Sequence, residues 1–253
     1  MLVSIGRGPI DVEVTAAAPG AADRPMLVFL HEGLGSIGLW RTFPADVRAA
    51  LGGVGMVVYS RHGYGRSAAV PEARTVDYMH REALDVLPAL LAELGVARPV
   101  LVGHSDGASI ALIHAGAGHP VAGVVVIAPH VFVEPESIAG IEAAGVAYAT
   151  TDLRDKLARH HDDVDATFRG WNDVWLSPAF RSWNIEAWLP GIAAPVLAVQ
   201  GVDDAYGTLA QLDAIDASVA GPFERLVVPG GHTLHTGDTT ALVARVATFL
   251  THL

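Results

Sequence analysis

Short runs of apolar, mostly β-branched residues recur along the chain and alternate with stretches of helix-forming composition. The runs are Met26–Leu30 (MLVFL), Gly55–Tyr59 (GMVVY), Pro99–Val102 (PVLV), Gly123–Ile127 (GVVVI), Pro195–Gln200 (PVLAVQ) and Glu224–Val228 (ERLVV). Most are apolar on both faces, as strands must be when helices cover both sides of a sheet. Helical segments are expected at Arg41–Leu51, Tyr78–Leu94, Ala108–Gly116, Tyr206–Ala217 and Thr239–Leu253. This alternation predicts a mostly parallel sheet flanked by helices, with right-handed crossovers. The opening segment Leu2–Val14 reads as an antiparallel edge hairpin.

One region breaks the rhythm. Residues 132–190 hold no convincing strand, yet they contain Trp171, Trp175, Trp183 and Trp188, four of the five tryptophans. They read as a helical insertion of roughly 55 residues over one end of the sheet. The core would then comprise residues 1–131 and 191–253. Within the insertion, His160-His161-Asp162-Asp163 reads as the solvated face of a helix, because adjacent helical residues point in different directions and cannot close on one ion.

Composition narrows the ligands. A hydrophobic fraction of 51% against 17% charged residues supports a large buried core and excludes global disorder. With 27 acidic and 16 basic residues the net charge is −11, which argues against nucleic acid and against an anionic membrane surface as partners. The absence of cysteine excludes disulfides, thiolate metal sites and a cysteine nucleophile. The start, MLVSIGRGPIDVEV, alternates instead of forming an apolar block, so no signal peptide is expected. Apolar stretches such as Val121–Ala128 are too short to span a bilayer, and a cytoplasmic location is the default expectation.

The sharpest chemical signal is Gly103-His104-Ser105-Asp106-Gly107, a G-x-S-x-G pattern placed directly after a strand and before a helix. A serine on so tight a turn needs strained backbone angles, and small neighbours let the chain reverse. Its hydroxyl would stand above the sheet, with the N–H groups of the following helix aimed at a developing oxyanion. Such a hydroxyl needs a base. His232, in Pro229-Gly230-Gly231-His232 after the ERLVV strand, sits at the same sheet edge; His235 is the competing histidine. An orienting carboxylate follows the PVLAVQ strand in Gly201-Val202-Asp203-Asp204, where both aspartates could serve and Asp203 could instead cap a helix.

These motifs resemble the α/β-hydrolase superfamily in type and order. The resemblance implies an α/β-hydrolase fold with a helical cap, and a triad in the order Ser105, Asp204, His232. Its G-x-x-D spacing favours Asp204 over Asp203. His31-Glu32-Gly33-Leu34-Gly35-Ser36 resembles the superfamily's H-G-x-x-G loop, which implies oxyanion donors at the backbones of Asp106 and of Gly33 or Leu34. Glu32 departs from the usual glycine, and in this alignment its carboxylate would lie near the pocket. Ser60-Arg61-His62-Gly63-Tyr64-Gly65-Arg66-Ser67 resembles the D-x-R-G-x-G-x-S turn, with Ser60 replacing aspartate, and is read as structural.

The function this implies is hydrolysis of a carboxylic ester or related acyl bond of a small substrate through an acyl-enzyme. Thioester or carbon–carbon bond hydrolysis on the same scaffold, or a slow-turnover ligand-binding or signalling homologue, are the alternatives. Glu32, His130, Trp171 and Trp175 are the expected substrate contacts. No metal and no cofactor are expected, the partner is a small ester-like molecule, and a homo-oligomer is compatible with the sequence.

Overall fold

The structure is a computed structural model that describes residues 1–69 and 72–253. The strands are Leu2–Ile5 (β1), Gly8–Thr15 (β2), Leu27–Leu30 (β3), Met56–Ser60 (β4), Val100–His104 (β5), Gly123–Ile127 (β6), Val196–Gly201 (β7) and Phe223–Val228 (β8). They form one sheet in the order β1-β2-β4-β3-β5-β6-β7-β8. The β1–β2 and β2–β4 pairings are antiparallel, and every pairing from β4 to β8 is parallel. The sequence-predicted hairpin and parallel sheet are both present.

Period-two geometry divides the strand residues between two cores. Val28, Leu30, Leu101, Val124, Val126 and Ala198 face one side, whereas Leu27, Phe29, Val102, Val125, Ile127 and Val199 face the other. The second side is covered by α1 (Phe43–Ala50) and α9 (Thr240–Thr251). The first is covered by a helix running through α2 (Tyr78–Arg81), a π-helical turn (Glu82–Val86) and α3 (Leu87–Glu93), and by α4 (Asp106–Gly116). The π turn ends two residues before Pro88, whose missing N–H cannot bond the carbonyl four residues back, so the hydrogen-bond register widens there.

Between β6 and β7 the chain forms α5 (Pro135–Thr150), α6 (Leu153–Leu157) and α7 (Val164–Leu176), followed by two short 3-10 segments. The one β-type contact in this stretch is an isolated bridge between Phe132 and Asn184. Trp175, Phe180 and Trp183 pack on one another here, with ring centroids 4.7 Å apart for Trp175–Phe180 and 5.3 Å for Phe180–Trp183.

Two sequence expectations need correction. The helix expected from Tyr206 begins only at Ala210 (α8, Ala210–Ser218). The reason is competition for backbone donors: Tyr206 N–H goes to Asp204 Oδ1 at 2.8 Å, and Thr208 N–H goes to Glu134 Oε2 at 2.9 Å. The His160–Asp163 stretch is not the face of a helix either, since α6 ends at Leu157. His161 turns inward, 5% exposed; its Nδ1 accepts from Gly65 N–H at 3.0 Å while Nε2 lies 2.9 Å from the Leu34 carbonyl.

Candidate active site

In an open α/β sheet the crevice lies beyond the carboxyl ends of the strands, where neighbouring connections leave in opposite directions. That point falls between β3 and β5 here: the chain passes from β3 outward to β4, then crosses back to β5 on the far side of β3. The residues following β3, β5, β6, β7 and β8 therefore gather around one rim.

Ser105 sits between β5 and α4 with φ 52° and ψ −117°, a strained conformation for a residue with a side chain. The flanking glycines are steric requirements. A Cβ at Gly107 would run into the Leu30 carbonyl, and one at Gly103 into the Gly107 carbonyl. Ser109, one turn into α4, holds the His130 carbonyl through its hydroxyl at 2.6 Å and so ties α4 to the loop after β6.

His232 Nδ1 lies 2.8 Å from Asp204 Oδ2 and 3.0 Å from Oδ1. Asp204 also accepts from Gln200 Nε2 at 2.8 Å and from Tyr206 N–H at 2.8 Å, so its orientation is fixed from three directions. Asp203 is exposed, its N–H bonded to the Gly230 carbonyl. His235 is buried against Trp40, at a ring separation of 4.8 Å, and is not Asp204's partner. Burial would raise the Asp204 carboxyl, but the His232 hydrogen bond and charge, with the Tyr206 N–H, hold it below its ordinary value. Burial lowers the His232 imidazole, and the Asp204 hydrogen bond offsets this only in part. A neutral imidazole with Nδ1–H directed at a carboxylate leaves Nε2 as the basic nitrogen.

Ser105, His232 and His130 wall a single cavity of about 270 Å³, together with Glu32, Gly33, Leu34, Asp106, Trp171, Trp175 and Tyr206. The expected nucleophile, base, oxyanion donors and substrate contacts all lie on this wall; Asp204 stands behind His232, and the competing Asp203 and His235 are not part of it. No hydrogen bond joins the Ser105 hydroxyl to the imidazole in this structure; such contacts commonly tighten only when substrate is bound. A larger cleft of about 790 Å³ lies between the Gly63–Ser67 turn and α7, and contains neither Ser105 nor a histidine among its described lining residues.

Several site residues were not singled out from the sequence. Tyr206 packs its ring 4.6 Å from that of His232. Ser137 and Ile141 of α5 reach the cavity across more than thirty residues of sequence. Arg61, 1% exposed, donates from Nη2 to the Glu32 carbonyl at 2.8 Å and pairs with Asp106 at 3.6 Å. A buried arginine inside a turn motif carries no local sign of its distant partners.

A model described as the alpha/beta hydrolase family matches residues 27–246. Among solved structures, the chain is similar to an alpha/beta hydrolase from a Medee basin deep-sea metagenome library, with TM-score 0.79, 19% identity, and coverage of 99% of this chain and 97% of that one. It is also similar to an enol-lactonase from Burkholderia xenovorans LB400, with TM-score 0.75, 20% identity, and coverage of 99% and 100%. An esterase from Exiguobacterium antarcticum gives TM-score 0.73, 17% identity, and coverage of 99% and 98%. No curated protein matches the chain.

Proposed function

The chain belongs to the alpha/beta hydrolase family, and on that premise we propose that it is a serine hydrolase cleaving a carboxylic ester or related acyl bond of a small substrate. The observation that carries this reading is the cavity itself: a strained serine and a carboxylate-anchored histidine share one wall. His232 Nε2 takes the proton as Ser105 Oγ attacks the carbonyl carbon, and the carbonyl π electrons move to oxygen. The Asp106 amide, with that of Gly33 or Leu34, receives this oxyanion. Collapse expels the alcohol, which takes the proton from His232, and leaves an acyl-Ser105. Water attacks by the same route and releases the acid. Asp204 keeps the ring in the Nδ1–H tautomer and stabilises the imidazolium at each proton transfer.

The segment 132–190 acts as a lid in this reading, since Ile141, Trp171 and Trp175 bring apolar surface over the serine. No lysine or arginine is among the described residues lining the cavity, and Glu32 adds negative charge. A neutral substrate fits this wall better than one with a free carboxylate or phosphate.

The test is labelling by a fluorophosphonate probe, followed by turnover of short aryl esters and thioesters. Wild type is expected to label stoichiometrically and Ser105→Ala not at all. Equal labelling of both proteins would falsify the assignment of the nucleophile, and labelling without sustained turnover would favour a ligand-binding homologue.

A further inference from the structure

We propose that Glu32, His104 and His235 form a binding site for a divalent transition-metal ion of the zinc type, directly behind the nucleophile. One carboxylate oxygen of Glu32 and one ring nitrogen of each histidine all lie within 4.8 Å of one another. His104 is fully buried and His235 is 2% exposed. Glu32 Oε2, His104 Nδ1 and His235 Nδ1 are each buried without a hydrogen-bond partner. Buried polar atoms are rarely left in that condition, and three in one place call for a shared ligand.

The chemistry of the donors identifies that ligand. His104 Nε2 lies 2.9 Å from the His232 carbonyl, which can only accept, so Nε2 carries a proton and the neutral ring presents its lone pair at Nδ1. That lone pair faces the Glu32 carboxylate at 3.5 Å. Two acceptors so placed repel unless a proton or a metal ion lies between them; a proton joins only two atoms, whereas a metal ion also takes up the third unpartnered donor, His235 Nδ1. A metal-ligating histidine commonly donates its other N–H to a backbone carbonyl, which is the His104 arrangement. Zinc–nitrogen and zinc–oxygen bonds of about 2.0–2.1 Å put two tetrahedral ligands about 3.4 Å apart, close to the 3.5 Å between His104 Nδ1 and Glu32 Oε2. Imidazole with one carboxylate suits zinc-type ions and not calcium or magnesium, which prefer all-oxygen shells. The His235 ring is braced by Trp40 at 4.8 Å and Phe43 at 6.2 Å, so it is held in position and shielded from solvent. Glu32 also reaches the cavity wall, which gives an ion a path in.

The three ligands belong to three segments that each carry a piece of the hydrolytic machinery. Glu32 precedes Gly33, His104 precedes Ser105, and His235 follows His232 by three residues. A bound ion would be a positioning device that clamps these segments together from behind. The site does not depend on the reactivity of Ser105, so it stands or falls separately from the hydrolase assignment.

The experiment uses the full chain after treatment with a chelator, titrated with Zn²⁺ by calorimetry and with Co²⁺ by visible absorption. One equivalent of each ion is expected to bind, Co²⁺ giving the intense visible bands of a four-coordinate site. His235→Leu and Glu32→Gln are each expected to weaken Zn²⁺ binding by more than about 100-fold, since loss of outer-shell partners alone costs about 10–100-fold. Ser105→Ala should bind as wild type does. Absence of a one-equivalent site at micromolar Zn²⁺, or a site that survives both ligand substitutions, would overturn the proposal. Should the variants not fold, ¹⁵N spectra of the wild-type imidazoles decide: zinc must move the ring nitrogens of His104 and His235, and shifts confined to other histidines refute the site.

Discussion

The Arg61 guanidinium and the Asp106 carboxylate form an ion pair at 3.6 Å with both side chains essentially inaccessible to water. Arg61 also bonds the Glu32 carbonyl, while the Tyr78 hydroxyl donates to Asp106 Oδ2 at 2.6 Å. Trp175 Nε1 in turn donates to the Tyr78 oxygen at 3.1 Å. A continuous polar chain therefore runs from the loop after β3, through the residue following Ser105, to α7 over the cavity. Its members hold the backbone N–H groups of Gly33, Leu34 and Asp106 in fixed relation.

Replacing Arg61 with methionine is expected to lower stability by about 3–5 kcal/mol, because a buried charge on Asp106 loses its compensating partner. Arg61→Lys should recover part of this, as a point charge without the planar fork that also reaches the Glu32 carbonyl. Denaturant unfolding of the three proteins reads the ranking. A methionine variant as stable as wild type would mean that Asp106 is compensated from elsewhere.

Tyr78→Phe removes a donor to Asp106 and an acceptor for Trp175, both buried. A loss of about 1–3 kcal/mol is expected for the unmet partners. Combined with Trp175→Phe in a double-mutant cycle, the pair should couple by about 0.5–3 kcal/mol. Simple additivity would show that the relay is geometric only.

Asp204→Asn is expected to reduce kcat on aryl esters by about 10,000-fold, since asparagine cannot hold the Nδ1–H tautomer or stabilise the imidazolium. The pH profile is a separate reading. Burial keeps the His232 pKa below its ordinary 6.5, so the imidazole proposed as the base is neutral at pH 7. The acid limb of kcat/KM should accordingly lie below pH 6.5, with activity falling as pH drops through it. A limb above pH 6.5 contradicts the assignment of His232 as the base.

Stability against acid should depend on His114, which burial lowers to about 4. Its Nδ1–H donates to the Ala83 carbonyl at 2.9 Å, and protonation would have to occur at Nε2, which is buried without a partner. Below its ordinary value of 6.5 the unfolded side chain takes up a proton that the folded one does not until about pH 4. Folding stability is therefore lost progressively as pH falls across that interval. Thermal melts from pH 7 to pH 4 should decline less steeply for His114→Gln than for wild type. Parallel curves would show that His114 titrates normally.

The strands and most helices were legible in the chain because their apolar runs and periodicities are local properties. The motif around Ser105 was legible for the same reason: two glycines two residues either side of a serine, between a strand and a helix, describe one backbone turn. Helix starts were less so. Tyr206 and Thr208 have helix-compatible neighbours, yet Asp204 and Glu134 claim their backbone donors from outside the segment. His161 looked solvated within an acidic run, but its partners lie at Gly65 and Leu34, nearly a hundred residues away or more.

The amino-acid order by itself determined the parallel sheet, the strained serine turn and the shortlist of histidines and carboxylates, since each rests on residues within a few positions of one another. Tertiary structure alone decided that Arg61 and Tyr78 brace Asp106 and that Glu32, His104 and His235 face a common point, and it brought Asp204, already favoured over Asp203 by the resemblance, onto His232. Those are relations between side chains from separate strands, and a pairwise distance across a sheet edge depends on register, twist and rotamer, none of which is written in any single stretch of chain.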